Sequence, residues 1–338
     1  MLIRMKHQLQ HTVLVLTRDQ KAFASRLHAM NLPGLAILAP ETPDGIASGL
    51  EVADILLGTP PLIKDHIHKA GKLVWMQSSF AGIDAMMGPN MRRDYVLTNV
   101  KETYGPVMAE FVLAYLLLFE KEILVLRDAQ EKRFWAQRPT ATLHGKTVCI
   151  LGTGSIGREI ARALKFFGVR VLGYRTKREP VEFFDEIFDE KMLPDFLGRG
   201  DYVVNVLPST SQTVHFFNAK TFAMMKPTAV FLNVGRGNAV DEQALVEALD
   251  ASRLSRAVLD VFETEPLPQE SPLWNHEKVL VTPHLSGYIL TDRIFEIFAE
   301  NYRRFCNGET LLYQVDFHKG YGWCVMLGGA FSARYLPF

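Results

Sequence analysis

Short runs of apolar, strand-favouring residues alternate along the chain with longer stretches whose apolar positions recur every three or four residues. The runs TVLVLT (12–17), LAIL (35–38), ADILLG (53–58), LVWMQ (73–77) and YVLTN (95–99) form one series. TVCILG (147–152), VRVLGY (169–174), DYVVNVL (201–207), AVFLNV (229–234), AVLDVF (257–262) and KVLVT (278–282) form a second. Strands that alternate with helices predict parallel sheets with helices on both faces. Two such series predict an α/β chain with two doubly wound parallel-sheet domains.

Residues 101–140 separate the series. GPVMAEFVLAYLLLFEKEILVLRDAQ is apolar all round with no strand breaker after Pro106, and predicts one long buried helix crossing from one domain to the other. After the last strand, TDRIFEIFAENYRRFCNGE (291–309) sets Ile294, Ile297, Phe298 and Phe305 at helical spacing, with Asn307 and Gly308 as a stop. That helix is expected to return the chain to the first domain. The tail GWCVMLGGAFSARYLPF (322–338) has no clear periodicity, and no function is assigned to it.

Composition narrows the class. A length of 338 residues suits two domains. Lys plus Arg equals Asp plus Glu at 37 each, so no bulk charge draws the chain to nucleic acid or an anionic membrane. Three cysteines, Cys149, Cys306 and Cys324, show no CxxC spacing, which argues against a disulfide framework or a metal knuckle. The longest apolar run, FVLAYLLLF (111–119), lies between Glu110 and Glu120. A membrane span needs roughly 20 residues. The opening MLIRMKHQLQ is too polar for a secretory core, so a cytoplasmic enzyme is expected.

The strand TVCIL runs into Gly152-Thr153-Gly154-Ser155-Ile156-Gly157 and then a helix, on which Ile156, Ile160, Leu164 and Phe167 share a face. This is GxGxxG with a strand before it and a helix after it, the context in which the motif signals a dinucleotide. Gly152 permits the turn, Gly154 lets backbone approach a diphosphate, and Gly157 lets helix and strand pack closely. The helix N-terminus favours the phosphates. The second strand ends at Tyr174, and Arg175 follows where an acidic residue would accept hydrogen bonds from an NAD ribose. A guanidinium cannot accept them but pairs well with a 2′-phosphate, and Thr176, Lys177 and Arg178 extend the basic turn. NADP(H) is therefore favoured and NAD(H) remains possible. The competing reading is a solvated basic turn.

Three further segments carry ionisable groups at expected carboxyl ends of strands, where open α/β sheets bind ligands. FLNVGRG places Arg236 between two glycines, AVLDVFETEPLP places Asp260 and Glu265, and VLVTPHLSG places His284. Asp241 suits a helix cap. Arginine, carboxylate and histidine together suit reduction of a carbonyl that adjoins a carboxylate. Taken singly, each has an ordinary structural explanation, and their shared location makes the case.

The chain resembles the D-isomer-specific 2-hydroxyacid dehydrogenases, the group that includes glyoxylate/hydroxypyruvate reductases and D-lactate and phosphoglycerate dehydrogenases. GTGSIG, VLPST with Thr213, NVGRG with Val240-Asp241, LDVFETEPLP and TPHLSG match in that order, with SSFAGID in the N-terminal half. The resemblance implies NAD(P)-dependent reduction of a small 2-oxo acid to a D-2-hydroxy acid. It implies a Rossmann cofactor domain (106–286) inserted in a flavodoxin-like substrate domain (1–105 and 287–338), and a homodimer through the cofactor domains. By the same resemblance, Arg236 holds the substrate carboxylate and carbonyl, His284 is the acid/base and Glu265 is its carboxylate partner. The backbone N–H groups of Ala81 and Gly82 hold the carboxylate from the other side. Ser155 and Ile156 meet the diphosphate, Leu207 and Pro208 line the adenosine side, and Thr213, Val234 and Gly235 join the cofactor contacts. Asp260 meets the nicotinamide carboxamide.

Arg175 departs from the NAD-using members, and Leu285-Ser286 departs from many relatives at the segment expected beside the nicotinamide. Members of the group end near VDFHKGY, so 322–338 reads as an extension. Two other functions share this architecture: a cofactor-sensing corepressor, which would bind cofactor tightly and reduce slowly, and an NAD-dependent phosphoglycerate dehydrogenase-type enzyme. Formate dehydrogenases carry glutamine in place of Glu265 and do not fit.

Overall fold

The computed structural model describes residues 11–101, 103–287, 292–317 and the backbone of 321–322. The opening decapeptide and the tail from 323 lie outside the described residues. The chain divides into two compact units, one of residues 1–101 and 291–338, the other of residues 102–290.

In the first unit, β1 (His11–Leu16), β2 (Leu35–Leu38), β3 (Ile55–Gly58), β4 (Trp75–Ser78) and β5 (Val96–Thr98) form a sheet in the order β2-β1-β3-β4-β5. All its pairings are parallel. This is the flavodoxin-like strand order. The central strands are buried on both faces, which is why they read as unbroken apolar runs. The helix Asp292–Cys306 packs on this unit: Phe298 stacks on Trp75 at 5.2 Å, Phe295 meets Phe23 at 5.1 Å, and Asn301 Nδ2 donates to Gln77 Oε1 at 3.0 Å.

In the second unit, β6 (Thr147–Leu151), β7 (Arg170–Tyr174), β8 (Glu186–Phe188), β9 (Tyr202–Asn205), β10 (Val230–Asn233), β11 (Arg256–Leu259) and β12 (Val279–Val281) form a parallel sheet. Its order is β12-β11-β10-β9-β6-β7-β8. Counted within the unit, the first six strands run 3-2-1-4-5-6, the Rossmann arrangement. The register has a direct consequence for the site. Tyr174, Leu151, Asn205, Asn233, Leu259 and Val281 are the last residues of their strands and are paired in one continuous row. Phe188, the last residue of β8, pairs with Tyr174 and extends the row, so seven loops leave the sheet from the carboxyl ends of its strands.

The expected long helix at 101–140 is two helices, Gly105–Glu120 and Ile123–Glu131. The chain breaks at Glu122, whose φ of 52° is left-handed and cannot continue an α-helix. The first helix buries Met108, Val112 and Leu116. The second buries none of its residues, and leaves Ile123, Leu124, Val125 and Leu126 exposed, followed by Phe134 and Trp135. Among the described residues no helix is long and apolar enough to cross a membrane.

Candidate active site

The glycine loop leaves β6 at Leu151. Gly152 has a φ of 101°, and a Cβ there would sit 2.9 Å from the Val206 carbonyl oxygen. A Cβ at Gly157 would sit 2.0 Å from the Gly152 carbonyl oxygen, so no larger residue lets the helix start this close to the strand. Gly154 is different: a Cβ there would meet nothing within 4 Å. It opens the helix Ser155–Lys165, whose first turn has no side-chain cap. Uncapped N–H groups facing open space make a site for an anion with a bare backbone approach, so these residues fit the diphosphate of a dinucleotide. The turn after β7 carries Arg175, half-buried, and Thr176, Lys177 and Arg178, exposed. Among the described residues no carboxylate pairs with these three cations.

The loop after β9 is shaped by Thr213, whose hydroxyl accepts from Thr210 N at 2.8 Å and donates to the Pro208 carbonyl at 2.7 Å. Leu207 N–H donates to Asn205 Oδ1 at 3.0 Å. After β10, Val234 and Gly235 are buried and lead to half-buried Arg236, whose Nη1 donates to the Gly235 carbonyl at 2.8 Å.

Past β11, Asp260 is fully buried. Its Oδ1 accepts from Thr282 Oγ1 at 2.6 Å and Leu285 N at 2.9 Å, and its Oδ2 accepts from Ser286 N at 2.9 Å. Its backbone carbonyl accepts from His284 N at 2.8 Å. Asp260 thus holds the whole turn that presents His284. That turn needs holding, because His284 has a φ of 53°, a conformation rarely adopted by a residue with a Cβ.

His284 Nδ1 and Glu265 Oε2 are 2.6 Å apart, with the side chains 52% and 36% exposed. Glu265 Oε1 accepts from Phe262 N at 3.1 Å. Burial pushes the Glu265 carboxyl up, but the His284 hydrogen bond, the Phe262 N–H and the nearby Arg236 charge outweigh it and hold the group below the ordinary carboxylate range. An ionised carboxylate on Nδ1 leaves Nε2 of His284 as the nitrogen able to exchange a proton.

In the other unit, Ser78 Oγ accepts from Phe80 N at 3.0 Å, and Asn99 Nδ2 donates to the Ala81 carbonyl at 2.8 Å. These bonds shape the loop after β4. Among the described residues the Ala81 and Gly82 N–H groups have no acceptor, so both can donate to a bound anion.

The structure thus brings Arg236, Asp260, Glu265 and His284 together with the glycine loop, the basic turn and the Leu207–Thr213 loop along one strand-end row. Sequence reasoning missed Asn205, Asn233 and Thr282, which hold these loops. The available signal was an asparagine closing each of two otherwise apolar strands.

A Rossmann unit with an uncapped glycine-loop helix and an arginine–glutamate–histidine cluster defines a nucleotide-dependent dehydrogenase. Residues 113–286 match the model of the D-isomer specific 2-hydroxyacid dehydrogenase NAD-binding domain. The chain is 30% identical over 248 residues to a glyoxylate/hydroxypyruvate reductase A of Salmonella paratyphi B, covering 71% of this chain and 80% of that protein. A D-isomer specific 2-hydroxyacid dehydrogenase family protein from Aeromonas salmonicida superposes with a TM-score of 0.88 at 41% identity, covering 91% of this chain and 99% of that one. An NADPH-dependent glyoxylate/hydroxypyruvate reductase from Sinorhizobium meliloti, solved with NADP and sulfate, superposes with a TM-score of 0.82 at 30% identity over 92% of this chain and all of that one. The chain belongs to the D-isomer specific 2-hydroxyacid dehydrogenase family, as an NAD(P)-dependent enzyme.

Proposed function

We propose that this enzyme reduces a small 2-oxo acid of the glyoxylate or hydroxypyruvate kind to the D-2-hydroxy acid, with NADPH preferred. The observation that carries the reading is the 2.6 Å pair of His284 and Glu265, with Arg236 near enough to act on the same carboxylate. The Salmonella and Sinorhizobium relatives are named as glyoxylate/hydroxypyruvate reductases, which supports the choice.

A reduced nicotinamide, when bound, supplies the hydride. Arg236 grips the substrate carboxylate with its planar fork, a charge-assisted contact that also steadies the carbonyl oxygen as it gains charge. The family resemblance makes the Ala81 and Gly82 N–H groups further donors for a 2-oxo acid carboxylate. His284 gives the proton on Nε2 to the new alkoxide oxygen, and Glu265 balances the charge on the imidazolium. Gly152, Gly154, Ser155, Ile156 and Gly157 take the diphosphate. Arg175, Thr176 and Lys177 take the 2′-phosphate, and Leu207, Pro208, Thr213, Val234 and Gly235 line the cofactor. Asp260 acts in this scheme as the anchor of the His284 turn. The carboxamide contact implied by resemblance stands beside that role as a proposal only, since the carboxylate has no exposed surface in this conformation.

A panel of 2-oxo acids, from glyoxylate and hydroxypyruvate to branched and aromatic acids, run with NADPH and NADH in parallel, tests the reading. Turnover of small acids with NADPH supports it. Tight cofactor binding without turnover of any acid refutes it and favours a cofactor sensor.

We also propose that the exposed apolar face of Ile123–Glu131, with Phe134 and Trp135, is covered by a second copy of the chain. A run of exposed large apolar side chains is rare on a monomer. Trp135, 86% exposed, becomes the reporter. Trp135→Asp should shift sedimentation from dimer to monomer, and a wild-type monomer would end the proposal.

A further inference from the structure

Asn205 and Asn233 are register partners in the strand-end row, and both are fully buried. Their strands are otherwise apolar, and a buried amide costs about 1–3 kcal/mol unless it is hydrogen-bonded. Both amides are bonded, in an order that runs across the sheet. Asn205 Oδ1 accepts from Leu207 N at 3.0 Å, and Asn205 Nδ2 donates to Asn233 Oδ1 at 2.9 Å. Asn233 Oδ1 also accepts from Gly235 N at 3.2 Å, and Asn233 Nδ2 donates to the Arg236 carbonyl at 3.0 Å. The two backbone N–H groups can only donate, so they fix which end of each amide is oxygen.

We infer that Asn233 is a positioning residue for Arg236 and that Asn205 sets its orientation, which makes the loop at Leu207 and the loop that carries the arginine one mechanical piece. The inference rests on Arg236 being the carboxylate grip proposed above. Packing supports the coupling. A Cβ at Gly235 would lie 2.9 Å from the Leu207 carbonyl oxygen and 3.1 Å from Asn205 Nδ2. A Cβ at Gly237 would lie 1.9 Å from the carbonyl carbon of Phe262, whose own N–H donates to Glu265. Arg236 is therefore wedged between the Leu207 loop and the Glu265 loop. Any turn of the Asn233 amide moves Arg236 relative to the residue paired with His284.

Two nearly isosteric variants test this. Asn233→Asp keeps the acceptor for Gly235 and Asn205 but sets a carboxylate oxygen against the Arg236 carbonyl. Asn205→Asp keeps the acceptor for Leu207 and sets an oxygen against Asn233 Oδ1. The Asn233 amide then turns over to donate to the new carboxylate, and its bond to Arg236 is lost from one strand away. A misplacement of about 1 Å can cost on the order of 100-fold in rate. Both variants should raise KM for glyoxylate by about tenfold or more and lower kcat, with the Kd for NADPH changed by less than about threefold.

If wild type turns over glyoxylate and both variants keep its KM and kcat, or lose only thermal stability, the positioning role is overturned and the functional reading stands. If wild type turns over no 2-oxo acid, the functional reading falls instead. The crystal structure of Asn205→Asp then decides the positioning: a displaced Arg236 carbonyl supports it, and an Arg236 loop as in wild type overturns it. Should Asn233→Asp not fold, Asn205→Asp carries both readouts.

Discussion

Asp260→Asn isolates what a buried carboxylate does for a turn that it does not itself belong to. The side chain is fully buried and accepts three hydrogen bonds, all from residues 282–286. Asparagine has almost the same shape but only one acceptor oxygen. If that oxygen keeps Thr282 and Leu285, the new NH₂ faces the Ser286 N–H. One charge-assisted bond is lost, about 1.5–3 kcal/mol, and one buried donor is left without an acceptor, about 1–3 kcal/mol. A neutral amide is easier to bury than a carboxylate, which pulls the total toward the low end, about 3 kcal/mol. At about 2–4 °C per kcal/mol for a domain of this size, Tm should fall by about 6–12 °C. Catalysis should fall further than stability suggests, because His284 keeps its left-handed backbone only while the turn is held. A kcat loss of roughly 10–100-fold is expected, with NADPH binding within a few-fold. Differential scanning calorimetry and steady-state kinetics with glyoxylate check both numbers. A variant with wild-type Tm and wild-type kcat would show that the turn keeps its shape without Asp260.

His284→Asn should lower kcat by about 10²–10⁴ while sparing NADPH affinity, as measured by fluorescence titration, and unchanged turnover would exclude it as the acid. Glu265→Gln should retain part of that activity and alter the pH profile of kcat/KM, and a profile identical to wild type would show that the pair is uncoupled. Arg175→Asp with Lys177→Ala should lower the NADPH-over-NADH ratio of kcat/KM by at least about tenfold, the value of one charged hydrogen bond; an untouched ratio would make the basic turn a solvated loop. Acid should destabilise the fold in a definite window. For Asp201, burial raises the carboxyl, but Lys226, the Thr147 N–H and Lys146 outweigh it; for Asp185, Lys165 and the Val171 N–H do the same; and Glu265 is likewise held low. A depressed folded value stabilises above the unfolded value, here 3.8 for Asp and 4.5 for Glu, and that contribution is lost as pH falls through the folded value. Tm should therefore decline as pH drops below about 4.5, less steeply in Lys226→Met, and a flat Tm across that window would contradict the pairing.

The strand series was legible because parallel strands buried on both faces must be apolar without interruption. β8 escaped because Glu186–Phe188 is three residues long and lies at a sheet edge among acidic neighbours. The helix pair at 105–131 is hard to read for a related reason. Apolarity at 123–126 suggests burial within this chain, whereas those side chains are exposed on it. Hydrophobic pattern reports what avoids water, and does not say which surface does the covering. The residues proposed to carry the chemistry, Arg236, Glu265 and His284, stand out in the sequence because each is an ionisable side chain just past an apolar run. Their supports were harder to see. Asn205 and Asn233 look like ordinary strand ends, and only the register shows them side by side.

That difference between the two groups follows from what each must do. A proton donor has to reach solvent and substrate, and the proposed pair of His284 and Glu265 is half-exposed on loops, as that role requires. Loops alone hold a side chain poorly, and a left-handed histidine holds its backbone more poorly still. The three fully buried polar groups along the row, Asn205, Asn233 and Asp260, meet that need. Each lies at or just past a strand end, where the ladder still fixes the backbone, and each holds one loop: Asn205 holds Leu207, Asn233 holds Gly235 and Arg236, and Asp260 holds Thr282, Leu285 and Ser286, with Asn205 also donating to Asn233. A polar group buried in a sheet is destabilising unless every bond is made, so the row tolerates few loop conformations. The same bonds that make the asparagines and the aspartate tolerable in the interior therefore hold the exposed chemistry in place. Substitutions at the row should consequently disturb kinetics at residues they never touch.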